Sequence, residues 1–589
     1  MQWVAGFWPR RDAMNKPVVF PKNSHAHNML WNVGYECTEF RRFSSGSTTV
    51  TVVGSCLATD VELNAALPAA DSERWEIFAQ WPGSYIAVVQ RAHEAVVITD
   101  LAGAKPVFWV KTDSGWWWST AATPLAALMR SKVNIRALLT PLMVAGVDAW
   151  GGETPYEKVM VVKPGSVLRL SHDGPKVETW YKPTVLSFAE GQHNFRAALT
   201  DSVGRRAALG DISSDLSGGI DSSLIALLAS RLTVVHGATY VDPWQRNDDA
   251  DYARRVAGFG GIRQILVEGD QTTTHYSDLD EAPFTDTPSA DGVLFGYNRA
   301  KLQAVKAAGS RHHLTGAAGD CMLLSPYPWV AELYKHQRLQ ALRWARQEAR
   351  RRLTSSRRFI LATRRLATTS FANEAARLAG GVEVAEKTAW SSVCWLKWME
   401  SAIWLTEQGR SMLCGRLEEI SYELDPPENP GANLDWQSLR ATAIERTTAV
   451  EFARSIGITL HNPFFDTQVI DACLSIPGYE RAPLDTFKPL ATLGFMAELP
   501  EFLRQRRTKG DFAGTMLHGI LFNQHWLKRM IESSALVEMG LIDRDQLRQS
   551  VQSAIYGFDT QLRGIHHLTT IEMWLRSRDL RPTVWWEML

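Results

Sequence analysis

Short β-branched and apolar runs, separated by turn residues, fill the first part of the chain. "TTVTVVGSCLA" (48–58), "GSYIAVVQ" (83–90), "HEAVVITD" (93–100) and "GSVLRLSHDG" (165–174) have the length and the bounding residues of strands. They predict a compact all-β or α+β domain over residues 1–185. A break falls at "TWYKPTVLSFAEGQHN" (179–194), where Pro183 precedes a helix-like stretch. From residue 190 the rhythm changes. "DISSDLS" is strand-like and runs into the helix-like "DSSLIALLASRL". "LTVVHGATYV" and "DDADYARRVAGFGG" repeat the pair, followed by "IRQILVEG", "GVLFGYNRAKLQAVKAAG" and "HHLTG". Strand and helix alternating at this spacing predict a parallel sheet wrapped by helices, which binds ligands at the carboxyl ends of its strands. Beyond residue 330 the chain reads as mostly helical, with "LDPPENPGANLD" (424–435) an irregular loop. The second domain is expected over 190–589.

The chain has 589 residues, enough for two or three large domains. Apolar residues are 45% and charged residues 21%, the profile of a folded, soluble protein. Lys+Arg and Asp+Glu both total 63, so no global field favours nucleic acid or an anionic membrane. No apolar run approaches the roughly 18 residues of a membrane span. In "MQWVAGFWPRRDAMNK" the arginines follow the apolar run, the wrong order for a secretory signal. The six cysteines are scattered and form no CxxC, and a reducing bacterial cytoplasm is the simplest setting. The 23 tryptophans are many for this length, a supply for packing and for a peptide groove. Between Arg343 and Arg365 stand nine arginines and one acid, Glu348. That run reads first as a solvated helix face or mobile loop, and second as a dock for an acidic partner segment.

The chemistry concentrates in "SGGIDS", Ser217 to Ser222. Gly218 and Gly219 let the backbone curl and point successive N–H groups inward, a concavity that holds an anion. The helix that follows adds free N–H donors and partial positive charge at its N-terminus. No GxxxxGK[ST] is present, so this is not the lysine-containing loop of ordinary NTPases. An acid beside phosphates, Asp221, makes sense with magnesium between carboxylate and phosphate.

These residues resemble the pyrophosphate loop of ATP-pyrophosphatases that adenylate a carboxyl, and the chain resembles the asparagine-synthetase branch in particular. "ITDLAGAKPVFW" (98–109) and "VVKPGSVLRL" with "ETWY" are similar to stretches of that branch's amidotransferase-like (Ntn-type) α+β domain. "LTGAAGD" (314–320) stands where the family has S-G-x-G-x-D. "HNPFFDTQVIDACLSIP" and "FKPLATLGFMAELPEFLRQRRTKGDF" resemble its later signatures. The resemblance implies an α/β ATP-pyrophosphatase synthetase domain with a helical C-terminal part, and ATP and Mg2+ as cofactors. Carried over, Ser217, Gly218, Gly219 and Ser222 hold pyrophosphate, and Asp221 and Asp320 bind magnesium. Leu216, Tyr240 and Gly316 lie near the nucleotide, and Lys509 meets the α-phosphate and the developing oxyanion.

The departures narrow the activity. Asparagine synthetases place a cysteine after the initiator Met; here residue 2 is Gln2 and the first cysteine is Cys37. No ammonia release from glutamine is expected, so the amine comes from the substrate. β-Lactam and carbapenam synthetases use a Tyr in the loop that here reads Gly316-Ala317-Ala318-Gly319-Asp320, and asparagine synthetases a Glu. Both are missing. The pattern is most similar to lasso-peptide cyclases, which join a peptide's N-terminal amine to its own Asp or Glu side chain. That implies a linear core peptide as substrate, with a leader peptidase and a leader-binding protein as partners. A β-lactam-type synthetase and a non-catalytic peptide-binding scaffold are the competing readings.

Overall fold

In the computed structural model the period-two runs of the first part pair into two antiparallel sheets packed face to face. The described residues are 2–10, 25–27, 29–145, 152–245, 247–380, 393–423, 427, 429–483, 486–506, 510, 513–558 and 561–578. In the six-stranded sheet, Thr48–Cys56, Gly83–Gln90, Glu94–Ile98 and Ser166–Ser171 lie side by side. In the seven-stranded sheet, Trp3–Pro9 runs between Leu30–Val33 and Gly115–Ser119. Alternation sorts each strand's side chains to two faces. Ile86, Val88 and Val97 of one sheet meet Val4, Trp116 and Trp118 of the other. Ala87, Val89 and Val96 face outward onto the helix Asp60–Asp71, while Trp3, Phe7 and Trp117 face the helices Ala122–Met129 and Ile135–Met143. The result is an αββα sandwich, so of the two classes open to the sequence the α+β one is realised. Gly6 lets it close: a Cβ there would stand 2.1 Å from the Trp118 indole nitrogen. Trp3, Trp31, Trp117, Trp118, Trp404 and Trp574 are among the largest fully buried side chains, so these tryptophans build core.

The last sandwich strand ends at Thr179, and helix α1 (Phe188–Ala207) opens the next layer behind a Ser187–Glu190 capping box. Here the predicted alternation forms a five-stranded parallel sheet. Its strands are β1 (Ile212–Asp215), β2 (Val235–Val241), β3 (Arg263–Glu268), β4 (His312–Leu314) and β5 (Thr459–His461), in the order β3-β2-β1-β4-β5. Helices α1, α2 (Ile220–Ser230) and α3 (Asp249–Gly260) bury one face of it. Helix α4 (Phe295–Ala307) and the long helix α7 (Pro430–Ser455) bury the other.

Two expectations change. The segment 424–435 is not a loop throughout, because Asn429 caps and Pro430 opens the 26-residue α7. Proline at the first helical position costs no hydrogen bond and pre-sets φ. Strand β5 has three residues, too few to display a period. The arginine run forms two amphipathic helices, α5 (Arg338–Arg351) and α6 (Ser356–Thr368). They bury Ala341, Ala345, Phe359 and Leu366 and leave the nine arginines exposed, a solvated face rather than a mobile loop. No helix of the described residues is long and apolar enough to cross a membrane.

Candidate active site

Strand β1 ends at Asp215, and the chain turns through Ser217-Gly218-Gly219 into α2. Gly218 has φ +82°, and a Cβ there would stand 2.2 Å from the Asp249 carbonyl, so only glycine fits. Ser217 and Ser222 share a hydrogen bond of 2.9 Å between their hydroxyls, and the Ser222 hydroxyl accepts from the Ser217 amide at 3.3 Å. The buried Arg506 clamps the loop from outside: its guanidinium donates to the Gly218 carbonyl at 2.8 Å and pairs with Asp248 and Asp249. The loop borders a cavity of about 340 Å³ at the carboxyl ends of the strands.

Across that cavity runs the loop Gly316–Asp320. Ala318 adopts φ +66°, which bends the chain so that Asp320 faces Asp221. Gly319 permits the approach, since a Cβ there would lie 2.4 Å from the Asp221 carboxyl carbon. Between the two acids stands Lys488. Its Nζ donates to the Asp221 oxygens at 2.5 and 2.6 Å and pairs with Asp320 Oδ1 at 2.7 Å. Burial pulls the Lys488 ammonium down, but the two carboxylates outweigh burial and its pKa stands above the ordinary lysine value. Lys488 has left-handed φ, immediately before Pro489 at the start of a short helix. The two acids therefore serve one cation position.

That donor set fits magnesium. Hard carboxylate oxygens converge on one point beside the Ser217–Ser222 loop, and Mg2+ binds through one or two carboxylates plus substrate phosphates and water. No group of three or more His, Cys, Asp or Glu among the described residues makes a metal cage.

A second charged cluster lines the same cavity. Asp215 accepts from Lys301 of α4 at 2.8 Å, and His313 Nε2 lies 3.1 Å from the same oxygen. Burial pushes the Asp215 carboxyl up, but Lys301 and His313 hold it well below the usual carboxylate range. Arg446 of α7 borders the cavity too, paired with Asp291 at 2.8 Å.

Of the residues expected from sequence, Ser217, Gly219, Asp221, Ser222, Tyr240, Gly316 and Asp320 line this cavity. Gly218 lies beneath, shaping the turn. The Leu216 side chain is fully buried under the loop in the core, and its carbonyl accepts from Thr239 at 2.7 Å. It adjoins the cavity-lining Asp215 and Ser217 without lining the cavity itself. Lys509 lies outside the described residues. Lys488, Arg506 and the Asp215–Lys301 pair were missed. Only Lys488 had a local signal, a lysine directly before a helix-opening proline.

Between the sandwich and the parallel sheet lies a further cavity of about 370 Å³, lined by Gln2, Lys105, Asp286 and Glu451 among others. No cysteine lines it among the described residues. Burial, with Asp286 nearby, pushes the Glu451 carboxyl up to about 7 against the pull of Lys105 and Arg454.

No curated protein matches the chain. Among solved structures it is similar to glutamine phosphoribosylpyrophosphate amidotransferase from B. subtilis complexed with ADP and GMP. The identity is 11%, over 49% of this chain and 67% of that one, with a TM-score of 0.19. It is also similar, at 12% identity over 46% of this chain and 74% of the other, to a structure described as the allosteric regulatory enzyme of purine biosynthesis, with a TM-score of 0.18. Overlaps that loose carry no argument about the fold, which rests on the sheet topology. The asparagine synthase family matches residues 194–576, more than half of the chain and all of the parallel-sheet layer, and the chain belongs to that family.

Proposed function

We propose that the protein is a lasso-peptide cyclase. Membership of the asparagine synthase family supports ATP-dependent amide-bond ligation. The finer reading is carried by the loop Gly316–Asp320, where Ala317 faces the nucleotide cavity and Ala318 is buried. Methyl groups there accept no proton, although the adjoining anion cradle and paired acids are complete. Such a site activates a carboxyl and relies on an amine delivered already in place.

The chemistry follows from these groups. A side-chain carboxylate oxygen of an Asp or Glu in the linear core peptide attacks the α-phosphorus of ATP, and pyrophosphate leaves. The N–H groups of the Ser217–Ser222 loop and the start of α2 hold the leaving phosphates. Magnesium at the Asp221–Asp320 position would neutralise phosphate charge. The peptide's N-terminal amine then attacks the acyl carbon, AMP leaves with the bonding pair, and the amine nitrogen gives up one proton to water. An N-terminal amine has a pKa of about 8 and is partly neutral without a dedicated base. Holding amine and acyl group together supplies about 7–11 kcal/mol of the barrier in favourable cases. Lys509 is the cation assigned to the developing oxyanion. A leader peptidase and a leader-binding protein complete the pathway, in a bacterial cytoplasm.

The test uses leaderless linear peptides that carry a free N-terminal amine and an internal Asp or Glu, with ATP and Mg2+. The expected product has lost one water, forms one-to-one with AMP, and resists carboxypeptidase. A peptide that is adenylated and only hydrolysed back, or cyclisation of a small amino acid instead, refutes the reading, the latter in favour of a β-lactam-type synthetase.

A further inference from the structure

Asp215 ends β1, and its side chain leaves the sheet on the face that α4 and α7 cover, where it meets Lys301 of α4. The Ser217–Ser222 loop runs the other way, into α2 on the opposite face. Both border one cavity. Ser217, Asp221 and Asp320 stand on its loop side, and Asp215, Lys301 and Arg446 on its α4–α7 side.

On that second side one acceptor is open. Lys301 Nζ and His313 Nε2 both reach Asp215 Oδ1, at 2.8 and 3.1 Å, and Ser213 Oγ lies 2.8 Å from the other ring nitrogen of His313. These contacts fix the carboxylate in place. Its Oδ2 takes no hydrogen bond from the described residues. The His313 side chain is fully buried and that of Lys301 is 9% exposed, whereas Asp215 keeps 22% of its side chain open where it lines the cavity. An ionised carboxylate only accepts hydrogen bonds, so Oδ2 suits a donor brought by a reactant.

The direction of the reaction selects that donor. In transfer at phosphorus the attacking and leaving oxygens lie roughly in line. With pyrophosphate leaving into the Ser217–Ser222 loop, the acyl group enters from the α4–α7 side, and the acyl carbon of the adenylate stays there. An amine that attacks this carbon brings its N–H groups past Asp215. A lone carboxylate would hold such an amine protonated, because an opposite charge favours the charged form. Lys301 already balances Asp215, so Oδ2 offers a directed acceptor without that penalty. Arg446, the other cation on this side, is paired with Asp291.

We propose that Asp215 Oδ2 accepts one N–H of the peptide's N-terminal amine and turns the nitrogen lone pair toward the acyl carbon. The C–N bond forms, AMP leaves with the bonding pair of the C–O bond, and the surplus proton on nitrogen passes to water; Asp215 keeps none. Lys301 and His313 are positioning residues that act through Asp215. The inference rests on the ligase reading and names the residue that meets the nucleophile.

The experiment separates the two half-reactions, using the full-length protein, Mg·ATP and linear peptides with a free N-terminal amine and an internal Asp or Glu. Pyrophosphate exchange, and hydroxamate formed with added hydroxylamine, read adenylation. Loss of one water in the mass spectrum reads cyclisation. Asp215→Asn keeps its oxygen on Lys301 and His313 and turns an NH2 toward the cavity, donor against donor. It is expected to lower cyclisation about 100-fold, the loss that a misplaced reacting group brings, with exchange and hydroxamate within about threefold of wild type. Hydroxylamine comes from solution and needs no anchor. Asp215→Asn also leaves Lys301 without a counter-charge, so the double variant Asp215→Asn/Lys301→Met, neutral at both positions, is measured beside it. It should keep the wild-type circular dichroism spectrum and show the same split between adenylation and cyclisation. A merely structural role lowers both together. Cyclisation near the wild-type rate in either folded variant overturns the proposal while the ligase reading stands. A parallel fall in exchange with a raised KM for ATP also overturns it, and gives Oδ2 to a ribose hydroxyl. A wild-type protein that binds Mg·ATP yet supports neither exchange nor hydroxamate with any peptide acid overturns the ligase reading and this inference with it.

Discussion

Replacing Lys488 by methionine tests whether the two acids share one cation position. Lys488 Nζ lies 2.5 and 2.6 Å from the Asp221 oxygens and 2.7 Å from Asp320 Oδ1, and its side chain is 3% exposed. Methionine keeps the volume and removes the charge, leaving two carboxylates facing each other beside a buried apolar group. Breaking a buried pair from one side costs about 3–5 kcal/mol. At about 2 °C per kcal/mol for a large domain, the melting temperature in EDTA should fall on the order of 6–10 °C. Magnesium should recover part of that loss, because the cation position is then uncontested. With 10 mM Mg2+ and a dissociation constant of about 1 mM, linkage gives about 1.4 kcal/mol, or about 3 °C. Wild type, whose lysine must yield first, should gain less. Differential scanning calorimetry in EDTA and in Mg2+ reads both effects. Asp221→Asn combined with Lys488→Met should restore most of the stability, since one charge no longer needs a partner. A Lys488→Met variant that melts like wild type, or whose loss Mg2+ leaves untouched, refutes the shared position.

Asp221→Asn and Asp320→Asn should each lower AMP release on the order of 100-fold or more with the circular dichroism spectrum unchanged, because each removes half of the donor set; near-normal release at ordinary Mg2+ contradicts that role. Glu451→Gln should raise stability at pH 8 by up to about 3 kcal/mol and change little at pH 4.5. The folded state keeps a proton up to about pH 7 that the unfolded chain releases near 4.5, so native stability falls as pH rises through that window; urea melts at the two pH values check it. Incubation with glutamine and ATP should yield no glutamate, since Gln2 stands where the resemblance implies a thiol nucleophile; glutamate formed one-to-one with AMP contradicts this.

The cradle was legible because its parts are contiguous. Ser217 to Ser222 sit between a strand and a helix, and chemistry that needs glycines, hydroxyls and one acid within six residues leaves a readable string. Asp320 was legible only through resemblance, as its partnership with Asp221 depends on a turn at Ala318. Lys488 was not read as a site residue, since it lies 267 positions from Asp221 and gains its meaning from that contact. The Asp215–Lys301 pair likewise joins residues 86 positions apart. The sandwich strands were visible by period, whereas the stub Thr459–His461 and the helix beginning at Pro430 were hidden by brevity and by two prolines just upstream.

Buried charges tie the sandwich to the parallel-sheet layer. Asp286 belongs to the synthetase layer, yet its two oxygens accept the Ala122 and Thr123 amides at 2.7 Å, at the N-terminus of a sandwich helix. Even with those donors burial holds its carboxyl above the ordinary range. Without them it is a buried acid with nothing in their place. Asp466 follows β5 and binds Arg206 of α1 at 2.7 Å through both oxygens, and one of these also accepts the Gly83 amide of the sandwich at 3.0 Å. Apolar packing runs the same way: Trp3, Leu125 and Leu138 belong to one continuous core with Trp404, Leu568 and Trp574. Tyr156 of the sandwich meets the Trp574 ring edge to face at 5.3 Å. Stripping away the sandwich therefore removes a packing partner of Trp574 and the hydrogen-bond donors of the Asp286 carboxylate. The two layers thus share buried charge partners and one apolar core.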